Sequence, residues 1–232
     1  WLPSQNESSL LVAIVVALAF TAIVDTNHTY FFRPLESLRD IARNSAMLGI
    51  FSLGAAVVII AGGIDLSSGS MIALSGTVCS VTMLALAPTE MMAFQPVGWV
   101  IVLIAILASL VTGFFVGTLH TWLITVVRLP PFVATLATLV GLRSFARALC
   151  ESSTAVLTPT KSAVINVADP IFKAVRDNVW FSVGTFLVLA CITWIILSRT
   201  VLGRHLKALG GNEQASRLAG IHTDNVKWFA YC

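Results

Sequence analysis

From Val97 to Val127 the chain carries no Asp, Glu, Lys or Arg, and five further apolar runs divide the rest of it. A bilayer core of about 30 Å is crossed by ~20 apolar residues in a helix. The candidate spans are residues 9–24, 44–61, 69–87, 97–119, 132–149 and 180–198, and a seventh begins near Val226. Charged residues make up only 11% of the sequence and hydrophobic residues 57%, against about 25% and roughly 45–50% in a soluble domain. So few charges cannot cover a globule with polar surface. A soluble enzyme, a disordered chain and a nucleic-acid binder are therefore excluded. The expected fold class is all-α, a polytopic transmembrane helix bundle in contact with lipid, forming one membrane domain over residues 1–232.

The few charges matter by position. The segment 199–227 holds Arg199, Arg204, Lys207, Arg217 and Lys227 against Glu213 and Asp224. An excess of basic residues in a short loop marks the cytoplasmic side. Parity then puts 88–96 and 151–178 outside, and Arg128 and the N-terminus inside. The outer connection 25–43 is mixed in charge, and His28 within it reads as a solvated loop residue. The uncharged run after Leu119 is too long for one straight span. Its tail, 120–127, is expected at the interface, with Trp122 and Arg128 as anchors and His120 as an interface residue. Arg143 and Arg147, one turn apart, either snorkel to headgroups or line a vestibule. Gly113 and Gly117 form a GxxxG, a close-packing helix surface.

Cys79, Cys150, Cys191 and Cys232 show no CxxC pair and no ligand spacing, so no metal site is expected. No GxxxxGK[ST] motif occurs, so ATP is not expected to bind here. No cofactor is implied. The chain starts at Trp1 and stops as a new apolar stretch begins, which reads as part of a longer protein.

Two segments carry chemistry. In Gly62-Gly-Ile-Asp-Leu-Ser-Ser-Gly-Ser70 two glycines end one helix, and Asp65 with the serines caps the next. The segment reads as a break between spans at Gly62-Gly63. Non-helical backbone at membrane depth is tolerated where it is buried in protein or lines a wet cavity, and an ionisable residue there marks a functional site. Asp65 thus reads as a cap, a pathway residue or both; Ser67 and Ser70 are the accompanying pathway candidates. The second segment lies in the basic loop. Asn212 is an N-cap, Glu213 suits a first turn, Arg217 is its i,i+4 partner and Gly220 is a stop. A helix of about two turns is not stable alone. It is either an interfacial connector or a docking helix, with Ala215, Leu218 and Ala219 as a small apolar side.

These two segments, together with Arg128-Leu-Pro-Pro-Phe-Val-Ala-Thr-Leu136, resemble the membrane permeases of ribose-type sugar ABC importers. The second match extends from Leu202 through Ile221, and the three motifs come in the same order and at similar spacing. The resemblance implies a permease that lacks its last helices here and is not itself an enzyme. It also implies a second permease copy, a periplasmic sugar-binding protein and a cytoplasmic ATP-binding subunit that hydrolyses the ATP. The location would be a bacterial inner membrane, the cargo a monosaccharide of ribose, xylose or galactose type, and the mechanism alternating access. Asn212, Glu213, Arg217 and Gly220 would mark the helix that couples to the ATPase. Departures from the pattern are His120-Thr121 in place of Asn-Gly, Ser68 in place of valine, and Glu151-Ser-Ser-Thr154 in place of a Thr-Gly-Gly turn. The alternative reading is an ion-coupled secondary transporter with a broken helix at Gly62-Gly63. A membrane-embedded enzyme would need converging His, Asp or Glu on the spans, which offer almost none.

Overall fold

The structure is a computed structural model and describes residues 5–24, 32–159 and 161–232. Residues 25–31, with His28, lie outside them. The regular structure among the described residues is helical. The helices are α1 (Gln5–Val24), α2 (Pro34–Ile60), α3 (Ser68–Leu86), α4 (Pro88–Met92), α5 (Trp99–Thr125) and α6 (Pro131–Leu157). They continue as α7 (Pro170–Asp177), α8 (Val179–Arg199), α9 (Val201–Gly211), α10 (Glu213–Leu218) and α11 (Thr223–Tyr231). Five of them, α2, α3, α5, α6 and α8, are long and apolar enough to cross a membrane; α1 carries a shorter apolar stretch, Ser8–Val24. An all-α polytopic bundle is the result, with five helices of spanning length among the described residues where six were expected. α11 occupies the expected start of the seventh.

Three boundaries differ from expectation. Residues 34–43 belong to α2 and not to a loop. Pro34 stands at the first helical position, where its missing N–H costs nothing, and the Arg33–Glu36 and Arg43–Asp40 pairs at i,i+3 support the first turns. The loop expected over 151–178 is shorter, because α6 runs on through Leu157 and α7 fills residues 170–177. α5 is one helix of 27 residues, about 40 Å long. His120, Thr121 and Ile124, expected near the interface, are buried, because α6 and α11 pack against this end of α5. Trp122 remains exposed.

α3 packs against α5 and α6, whereas α2 packs mainly against α8. Gly49 lets the second pair close: a Cβ there would stand 2.5 Å from the Phe186 ring. α9 joins the two sets, touching α8, α2 and α11, and α11 reaches α5. Apolar cores mark the two ends. One gathers Met83, Leu84, Met91, Val97 and Val102 beneath the connection from α6 to α7. The other gathers Ala61, Leu206, Leu209, Val226 and Ala230 at the end that carries the basic segment. Between them much of the apolar surface is exposed, Leu110, Phe115, Val188 and Trp194 included, as a lipid-facing surface would be.

Candidate functional site

The chain leaves α2 through a Schellman turn. Gly62 has φ +81; its N–H donates to the Ile59 carbonyl and that of Gly63 to Val58, each at 2.9 Å. A left-handed residue at that position favours glycine. Two residues on, Asp65 Oδ1 accepts from the Ser67 backbone N–H at 2.8 Å and from the Ser67 hydroxyl at 2.7 Å. Asp65, with a half-buried side chain, thus closes an Asx turn on Ser67, the N-cap residue of α3, and bonds no N–H within the helix itself, which has no side-chain cap bond. Ser67 and Ser70 are buried, and the Ser70 hydroxyl donates to the Ser67 carbonyl at 2.6 Å. Of the three pathway candidates, Asp65 alone keeps an oxygen, Oδ2, with no hydrogen-bond partner among the described residues.

Other elements bring polar groups to this turn. The buried Thr135 hydroxyl of α6 lies 3.2 Å from the Ile64 carbonyl oxygen and 3.0 Å from that of Pro131. One turn away, Thr138 Oγ1 lies 2.7 Å from His120 Nε2. The Thr138 proton has carbonyl acceptors on its own helix at 3.0 Å, which leaves its oxygen to accept from the ring. The His120 and Tyr231 rings are 6.3 Å apart. The Tyr231 hydroxyl is buried without a hydrogen-bond partner among the described residues and sits where a Cβ on Gly63 would be. His120, Thr135, Thr138 and Tyr231 were missed as site residues. Thr135 and Thr138 had a signal, two hydroxyls at i,i+3 just after Pro130-Pro131. Gly117 of the GxxxG makes its close approach to the backbone of Tyr231 and Cys232 at the end of α11.

The same end of the bundle holds a cavity of about 450 Å³, lined by Gly62, Gly63, Arg128, Gly210, Glu213 and Tyr231 among others. α10 stands at its rim. Asn212 Oδ1 accepts from the Ala215 N–H at 3.0 Å. Gly220, with φ +82, closes a second Schellman turn, its N–H on the Arg217 carbonyl and that of Ile221 on Ser216, both at 3.0 Å. Glu213 Oε1 accepts from Lys227 at 2.7 Å and from Arg217 at 3.2 Å. Arg217 also reaches Asp224 Oδ1 at 3.1 Å and the buried Thr223 hydroxyl at 2.8 Å. These bonds fasten a helix of six residues to α11. Ser216 is its buried side chain, whereas Ala215, Leu218 and Ala219 face outward. Leu218 is 91% exposed. Among the described residues no three His, Cys, Asp or Glu gather as a metal site.

With this geometry in place, comparison with known proteins gives the following. The family described as "Branched-chain amino acid transport system / permease component" matches residues 37–232. The chain is 29% identical over 235 residues to the ribose import permease protein RbsC of Escherichia coli strain K12, covering all of this chain and 65% of the relative. It is 31% identical over 232 residues to the autoinducer 2 import system permease protein LsrC of Yersinia pestis strain Pestoides F, covering 100% of this chain and 59% of that relative. The chain thus spans less than two thirds of the length of these relatives. No solved structure matches it.

Proposed function

The chain belongs to the family of branched-chain amino acid transport system permease components, and from that premise we propose that it is part of the permease subunit of an ATP-binding-cassette importer. In this reading it sits in a bacterial inner membrane and pairs with a second permease copy. ATP hydrolysis belongs to a separate cytoplasmic subunit, and a periplasmic binding protein delivers the solute. The solute is a monosaccharide of ribose, xylose or galactose type, in keeping with the name of one relative. The observation that carries the proposal is α10. It is too short to stand alone, is fastened by Asn212, Glu213 and Arg217, and turns its apolar side outward with Leu218 bare. A partner surface suits that arrangement.

Asp65, with Ser67 and Ser70 behind it, lines the inner part of the pathway. Its free carboxylate oxygen is an acceptor for a sugar hydroxyl, and Thr135 and His120 hold the neighbouring backbone and helices in place. Asn212, Glu213, Arg217 and Gly220 form the coupling helix. The test is uptake by the full-length protein, reconstituted with its ATP-binding and binding-protein partners. Labelled ribose, xylose, galactose and a branched-chain amino acid are offered in parallel. ATP-dependent uptake of a monosaccharide supports the reading. Uptake of the amino acid alone overturns the solute, and uptake driven by an ion gradient without the ATPase restores the secondary-transporter alternative.

A further inference from the structure

We propose that the backbone contact between Gly62 and Gly210 is a rigid joint through which α10 and the Asp65 segment move as one body. This rests on the reading of α10 as a coupling helix. A Cβ on Gly62 would lie 3.2 Å from the Gly210 Cα, and a Cβ on Gly210 would run into the Ile60 carbonyl oxygen. No side chain separates the two backbones, so nothing soft lies between them to absorb a displacement. Tightly packed atoms transmit strain and do not yield to it.

α9 is braced at its other end too. A Cβ on Gly203 would run into the Ile196 carbonyl oxygen of α8, and the Thr200 hydroxyl ties the turn by accepting from the Gly203 N–H at 3.2 Å and donating to Ile196 at 2.6 Å. α9 is thus a short strut between the end of α8 and the end of α2. Asn212, the cap of α10, stands two residues beyond Gly210, and Asp65 three residues beyond Gly62. A second link runs in parallel: Glu213 holds Lys227 of α11, and Tyr231 of the same helix lies on Gly63. A push on α10 therefore arrives at the turn that orients Asp65 from two sides. Gly211 next door faces open space, which supplies a matched control.

The test uses the full-length protein with its ATP-binding subunit and binding protein in lipid nanodiscs. Gly210→Ala is expected to leave the ATP-binding subunit co-purifying and to lower solute-stimulated ATP hydrolysis by about tenfold or more. Gly211→Ala is expected to leave stimulation intact. Stimulation retained by Gly210→Ala overturns the joint. Should that variant fail to fold, spin labels on Ile64→Cys and Gly211→Cys decide, both positions being exposed. One unchanged distance distribution in nucleotide-free and vanadate-trapped complexes supports a rigid joint; separation on trapping overturns it. Failure of the unmutated protein to bind any ATP-binding subunit overturns the function reading and the joint with it, which sets that failure apart from the others.

Discussion

The carboxylate of Asp169 accepts the backbone N–H of Val97 at 2.7 Å, across 72 positions of sequence. Its other oxygen accepts from the Ile171 N–H at 2.9 Å and caps α7. The side chain is 2% exposed. One carboxylate thus closes the loop between α6 and α7 over the core formed by Met83, Leu84 and Val102. Asp169→Ala leaves a buried N–H unpaired, at a cost of about 1–3 kcal/mol, and removes a helix cap worth ~1 kcal/mol. Asp169→Asn keeps one acceptor and is expected to lose less. Thermal unfolding of both variants of the full-length protein in detergent checks the order.

Gly49 and Gly54 lie on the same helix, but only Gly49 meets a neighbour, the Phe186 ring. Gly49→Ala overpacks the α2–α8 contact and is expected to destabilise by about 1–3 kcal/mol. Gly54→Ala adds a methyl in open space and gains up to ~1 kcal/mol of helix propensity. Opposite signs in a thermal-shift measurement are the expected result; equal shifts would show that the two helices do not pack through Gly49.

Asp65→Asn keeps an acceptor for the Ser67 N–H, whereas Asp65→Leu removes it, at a cost of about 1–3 kcal/mol. If Asp65 meets the solute, Asn folds as well as the parent and transports less, and Leu loses both fold and transport. Membrane expression and uptake are compared for the two. Unaffected uptake by both removes Asp65 from the pathway.

Leu218 is 91% exposed, so Leu218→Glu is expected to change stability by no more than ~0.5 kcal/mol. Weaker co-purification of the ATP-binding subunit would then come from a docking surface and not from damage to the fold. Equal co-purification would make α10 a plain connector.

Arg217→Glu is a different kind of change, because Arg217 pairs with Glu213 and Asp224 and donates to Thr223. Pairs this exposed contribute roughly 0.2–1 kcal/mol each. Reversal of the charge is therefore expected to loosen α10 from α11 measurably, with a thermal midpoint lower than that of Leu218→Glu. Loss of stimulated ATP hydrolysis beyond what that midpoint explains reports on coupling.

Much of this arrangement was legible because its signals are local. Gly62 ends α2, Asn212 and Gly220 bound α10, and Pro131 opens α6. Each is a matter of φ, of a missing N–H, or of a side-chain oxygen within three residues. The start of α2 was misplaced because charged residues read as loop, although Arg33–Glu36 and Arg43–Asp40 are helical pairs. The end of α5 was misread for the opposite reason. His120 looks polar in a list of residues, yet α6 supplies Thr138 to bond it inside the protein.

By itself the sequence determined the class of the molecule, its apolar helices and the ends of its short ones, because apolar length and backbone preference act within a few residues. Only the tertiary structure decided that Tyr231 lies on Gly63, that Gly62 touches Gly210, and that Asp169 holds Val97. Those partners are far apart in the chain. They meet because α9 and α11 pack across two helix sets, and that packing depends on the shapes of whole faces, which no short stretch of sequence encodes.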